Sequence, residues 1–269
     1  MRVFVIHDSE IENDNVIGFL LYYEKSDEYI VELREELDEW NCPLLFSGLI
    51  KKGIYTIPKD IARLWVEERV IPSDRQNIGI ILRNAKLTNY NEINLLAISQ
   101  GKSSQDNCFV EEIDKGDLPV WVTDRQVNNI LESFPIVDNR VICLLGDDTA
   151  IEVDLEKCSP EVPKLNSIQS NQEILSTLKV DAGGYGITFN DSLSIDKRIL
   201  IEHGVVLPIY AHVFKDFADH CCVNTTEACS ILNCSRQNLG YLIKNDALHP
   251  IKDKWRENVF FRGEITRMD

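Results

Sequence analysis

Ser235, Arg236, Gln237 and Asn238 stand in a row near the C-terminal end of the chain, with Tyr241 and Lys244 following at helical spacing. Arg, Gln and Asn are the side chains whose paired donors and acceptors match the base edges of guanine and adenine. Lys252, Lys254 and Arg256 come shortly after and are of the type that contacts phosphates. This set would recognise nucleic acid without making or breaking bonds. Other constellations invite chemistry but fit it less well. Arg69, Arg75 and Asp106 read as a buried ion-pair network. Asp147-Asp148 reads as an acidic turn, not a catalytic pair. "GGYG" at 183–186 lacks the following Lys of a phosphate loop and precedes a strand, so its glycines read as turn residues. His220, Cys221, Cys222, Cys229 and Cys234 lack C-x-x-C spacing and read as packing, not as a zinc site. No Ser or Cys has a credible base partner. No catalytic residue, metal or cofactor is expected.

The recognition set needs a scaffold, and the flanking residues predict one. Asn224 can cap a helix and Glu227 can bond back to it, a capping-box spacing. Ala228, Ile231 and Leu232 form an apolar face. Asn233 stands where a left-handed turn is needed. Ser235 starts a second helix whose Leu239, Leu242 and Ile243 point inward, leaving Arg236, Gln237, Asn238 and Tyr241 outward. "HPIKDKWRENVFFRGEI" then alternates as a two-stranded wing would.

Upstream, "RVFVIHD" reads as a buried strand, and "VIGFLLYYEKSDEYIVEL" as a strand followed by helix. Helices are predicted around "REELDEW", from Pro58 through "PKDIARLWVEERV", and over "DRQNIGIILRNAKL". Two β-rich runs flank Gly146-Asp147-Asp148 as a hairpin. A second pair turns near Gly183-Gly184, and "KRILIEHG" is a short helix stopped by Gly204. These elements predict a multi-domain α+β protein. A mixed N-terminal domain spans 1–115, a small β-rich domain 119–212, and a winged helix-turn-helix 221–269.

Three stretches resemble known groups. "TEACSILNCSRQNLGYLIK", with "ALHPIK" and "VFFRGEI", resembles the winged helix-turn-helix of the excisionase and MerR-like group. It departs from that pattern at Cys229, Asn233 and Gly240, where Ala, Gly and a non-glycine residue are usual. The resemblance implies a DNA-reading second helix. "VICLLGDDTAIEVDL" and "GGYGITFNDSLSID" with "ILIEHG" resemble a small β-rich family of unknown function found beside toxin–antitoxin genes. "WVEERVIPSDRQNIGIIL" and "LLAISQGKSSQDNCFV", within 60–110, are similar to an accessory segment of HipA-like toxin kinases. No nucleotide loop or catalytic Asp-Asn pair accompanies that segment, so kinase activity is not implied.

Charge separates body from tail. The chain carries a formal −16, and residues 215–269 hold eight basic and eight acidic residues, so the whole excess lies in the first 214. An acidic body repels nucleic acid, which confines any DNA contact to the tail and makes it salt-sensitive. No apolar run suits a transmembrane helix and the N-terminus lacks signal-peptide character. Eight scattered cysteines suit reduced thiols. The expectation is a bacterial, cytoplasmic, non-enzymatic DNA-binding regulator or antitoxin-like protein. It would act as a homodimer, hold a cognate protein through its acidic body and make no membrane contact. The alternative is a protein-interaction or immunity-type protein whose helix-turn-helix packs on a partner and does not bind DNA.

Overall fold

The computed structural model describes residues 1–11, 14–167, 171–252, 258–262 and 265. The chain is α+β, with helices and antiparallel sheets. It divides into two compact units, one formed by Met1–Ile130 with Thr177–Ile199, the other by Leu131–Ser176 with Leu200–Asp269.

The first unit is built on β1 (Arg2–Asp8), β2 (Val16–Tyr23) and β3 (Glu28–Leu33). The loop after β3 leads to α1 (Leu44–Ile50), β4 (Thr56–Ile57), α2 (Lys59–Glu67), α3 (Ile78–Asn84) and α4 (Glu92–Ser99). Then come β5 (Cys108–Ile113) and α5 (Val120–Gln126). The five strands form one sheet in the order β4-β3-β2-β1-β5. Its strands are apolar almost throughout because both faces are covered. Phe4, Ile6, Leu20, Val31 and Leu33 point toward Phe46, Trp65, Val66 and Leu96 of the helices. Their neighbours Val3, Val5, Phe19, Leu21 and Ile30 point the other way, toward Val122 and Tyr185. That period of two is the pleat itself.

Two expectations are corrected here. Residues 16–33 form a hairpin, β2 against β3 from Gly18↔Leu33 to Tyr23↔Glu28, and no helix follows β2. Tyr29, Ile30 and Val31 bury alternately on the two faces, a strand pattern that a helix would break. "REELDEW" is a turn and bend, not a helix. Asp38 accepts from the backbone N–H of Trp40 and Asn41, and Asn41 Oδ1 accepts from that of Asp38 at 2.6 Å. Such local side-chain bonds compete with helix formation.

The chain next runs through β6 (Ile130–Ile136), β7 (Arg140–Leu145), β8 (Ala150–Asp154), α6 (Leu155–Cys158) and α7 (Gln172–Leu175). It returns to the first unit with β9 (Lys179–Val180), β10 (Gly186–Phe189) and β11 (Leu193–Asp196), a sheet ordered β11-β10-β9. The stretch read as one β-rich domain, 119–212, therefore supplies strands to both units. Tyr185 packs beside Phe19 and Val122, and Lys59 Nζ lies 2.8 Å from Asp181 and 2.9 Å from Glu28, which ties this segment to the first sheet. The turn between β9 and β10 requires both its glycines. Gly183 and Gly184 have φ of 65° and 80°, and a Cβ would strike the Tyr23 ring and the Ile130 backbone.

After α8 (Lys197–His203), the second unit continues with β12 (Gly204–Val206), α9 (Ala211–Cys221) and β13 (Cys222–Asn224). It ends in α10 (Thr225–Ile231), α11 (Arg236–Lys244) and β14 (Val259–Phe261). Its larger sheet has the order β12-β8-β7-β6. The expected hairpin is β7–β8, with Asp148 at φ 71° in its turn, bonded to the backbone N–H of His212. Among the described residues no helix is long and apolar enough to cross a membrane.

Candidate nucleic-acid interface

The C-terminal part of the second unit is organised by its caps. Asn224 Oδ1 accepts from the N–H of Thr226 at 2.8 Å and of Glu227 at 3.0 Å, and Glu227 Oε2 accepts from the N–H of Asn224 at 2.9 Å. This reciprocal box satisfies donors that the start of α10 leaves orphaned. At the other end Asn233 adopts φ 49° and the N–H of Cys234 donates to Cys229 O at 3.0 Å, so a left-handed turn ends α10. Ser235 Oγ then accepts from the N–H of Asn238 and starts α11.

One face of this pair is closed. Val223, Ala228, Leu239, Leu248, Phe260 and Ile265 are buried together, with Cys229, Leu232, Cys234, Leu242 and Ile243 packed around them. The two cysteines are thus core side chains. Burial and the neighbouring Cys234 thiol push the Cys229 thiol up. Among the described residues no group of His, Cys, Asp and Glu is arranged to hold a metal ion.

Ser235, Arg236, Gln237, Asn238, Tyr241 and Lys244 are all exposed. Lys252, also exposed, bridges to Val259, and β14 pairs in turn with β13 from Cys222↔Phe261 to Asn224↔Val259. Lys254 and Arg256 lie outside the described residues. The described cations of the set, Arg236, Lys244 and Lys252, are thus exposed, as are Gln237, Asn238 and Tyr241.

Two residues that sequence reasoning passed over help to place this face. Arg236 Nη2 donates to Thr226 Oγ1 at 2.9 Å, so the guanidinium is braced against the first helix. Thr225 Oγ1 accepts from the N–H of Asn258 at 3.0 Å, fixing the return strand to the start of α10. The paired threonines inside the capping box were the available signal.

The other constellations separate. Arg69 pairs with Asp106 and is buried, whereas Arg75 is exposed and makes no ion pair among the described residues. The expected three-residue network is a two-residue one, because Arg75 sits in the turn before α3 on the outside of the unit. Asp147 holds its own turn by accepting from Thr149 N–H and Oγ1. In comparisons with known proteins no family model, no curated protein and no solved structure matches this chain.

Proposed function

We propose that this chain is a DNA-binding regulator or antitoxin-like protein whose C-terminal 221–269 segment acts as a winged helix-turn-helix. The observation that carries this reading is the two-sided build of α11. Leu239 is sealed in the core while Arg236, Gln237, Asn238 and Tyr241 stay exposed near the helix start. A recognition helix meets base edges at that end. The bridge from Lys252 to Val259 suits a wing that touches phosphate. One such helix makes few contacts, so a homodimer on two half-sites is part of the proposal. The acidic body takes no part in holding DNA and is free to hold a protein.

The test is fluorescence-anisotropy titration onto DNA from upstream of the chain's own coding sequence, at two salt concentrations and against scrambled competitor. Arg236→Ala/Gln237→Ala should weaken selective binding by roughly 1–3 kcal/mol per lost bidentate contact. Lys252→Ala should weaken all sequences alike and reduce the salt slope by about 1. A wild-type chain that binds no DNA at low salt overturns the reading and leaves α10–α11 as a packing element.

A further inference from the structure

The first unit carries a groove of about 710 Å³ between the start of α1, the loop before it and the segment entering β5. Two large apolar side chains there stand out in water. Trp40 and Leu44 are each 87% exposed. Along α1 the apolar residues Leu45, Phe46, Leu49 and Ile50 turn toward the core, and Leu44 turns away from it. A leucine and a tryptophan left in water along one opening form the kind of patch that marks an interaction surface. Tryptophan is also the residue most enriched among binding hot spots.

The loop that carries Trp40 is held in place before anything binds. The side chains of Asp38 and Asn41 accept from backbone N–H groups across it, Leu37 is buried beneath it, and the Tyr55 hydroxyl donates to Leu37 O at 3.3 Å. A presented side chain on a fixed loop loses little freedom on binding. The groove wall is acidic. Asp8, Glu10, Glu39 and Asp106 line it, against one lysine, Lys51, which reaches Glu39 at 3.3 Å. Buried Arg69 takes up Asp106, and the remainder is still net negative. Cys42, also in the lining, has its thiol pushed up to about 11 by burial beside Asp38 and Glu39, so it adds no charge.

We propose that this groove docks a basic segment of a partner protein, with an apolar side chain seated between Trp40 and Leu44 and flanking Arg or Lys against Glu39, Asp8 and Glu10. Charge complementarity selects that occupant. A second copy of the same chain, at −16, would bring like charge to an acidic wall. An arginine additionally stacks on an indole face, which gives Trp40 a role for the cation as well as for the anchor. The proposal uses only residues of the first unit and stands or falls apart from the DNA reading.

The experiment uses the full chain and three fluorescein-labelled dodecapeptide pools. In the first, positions are drawn from Arg, Lys, Leu and Ile. The second replaces Leu and Ile with Gly and Ser, and the third replaces Arg and Lys with Asp and Glu. Anisotropy is read at about 50 and about 300 mM salt. The first pool should bind, weakening with salt, and should bind about tenfold more tightly than the second. The third should not bind. Trp40→Ala/Leu44→Ala, which changes two side chains already in water, should lose about tenfold in affinity for the first pool while binding DNA as the parent chain does. Equal binding of the first two pools, or equal binding by the double variant, reduces the effect to bulk charge and overturns the proposal. So does an absence of binding by the first pool up to about 1 mM. A parent chain that sediments as a dimer and becomes a monomer on Trp40→Ala/Leu44→Ala would make a second copy the occupant, which also overturns it.

Discussion

Asp106→Asn tests whether the ion pair under α2 holds the first unit together. The Arg69 side chain is fully buried, whereas that of Asp106 is 19% exposed. The guanidinium lies over the Trp65 ring at 3.7 Å from its centroid and donates to Trp65 O at 3.2 Å. Its Nε finds no hydrogen-bond partner among the described residues, so Asp106 is what answers the charge. Asparagine preserves the volume and can still accept from the Cys108 N–H that Asp106 Oδ1 now holds at 3.0 Å. The substitution therefore removes little besides the countercharge. Stripping one partner from a buried pair costs about 3–5 kcal/mol, and the water that reaches Asp106 argues for the lower end, about 3. With a urea slope of roughly 2 kcal/mol/M, the midpoint should fall by about 1.5 M. Arg69→Met should cost less, about 1–2 kcal/mol, because it leaves a carboxylate that water can solvate. Urea titration followed by tryptophan fluorescence reports mainly on this unit, which carries Trp40, Trp65 and Trp121 of the chain's four tryptophans. An Asp106→Asn chain within about 0.5 kcal/mol of the parent, or one more stable than Arg69→Met, would refute the reasoning.

Two further outcomes are expected. Glu32 is fully buried, and burial holds its carboxyl above the ordinary value of 4.5 despite bonds from Thr56 and Arg125. The folded chain thus binds that proton more readily than the unfolded one, and stability falls as pH climbs from the unfolded carboxyl value through the folded one. Glu32→Gln removes this slope, so its melting temperature should gain on the parent's as pH rises toward neutrality; a growing deficit instead would contradict it. Gly240 sits inside α11, and a Cβ there would meet nothing within 4 Å. Gly240→Ala should therefore raise the thermal midpoint by an amount equivalent to about 1 kcal/mol, and a lowered midpoint would show that the glycine has a packing or binding role.

Much of the local structure was legible because it is written in short-range chemistry. The capping box at Asn224 and Glu227, the turn at Asn233 and the cap at Ser235 each concern residues no more than three apart, and all are present. The same holds for the β7–β8 hairpin and for α2 behind Pro58. Where local signals competed, the reading failed. In "EYIVEL" the strand alternation outweighed the charged helix-formers after it, and in "REELDEW" the side chains of Asp38 and Asn41 captured backbone donors that a helix would have used.

The sequence by itself determined the caps and the turn of the C-terminal helix pair, the exposed polar residues of α11 and the segregation of negative charge into the first 214 residues. Each of these depends on spacing or composition, which need no partner in space. Only the tertiary structure decided which residues meet. It separated Arg75 from Arg69 and Asp106, and it returned residues 177–199 to the first unit through Tyr185 and the Lys59–Asp181 pair. It also left Trp40 and Leu44 in water along one acidic groove. Such pairings link positions tens of residues apart. They are fixed by the closing of a core that must fill its volume, and no local pattern encodes which distant side chain does the filling.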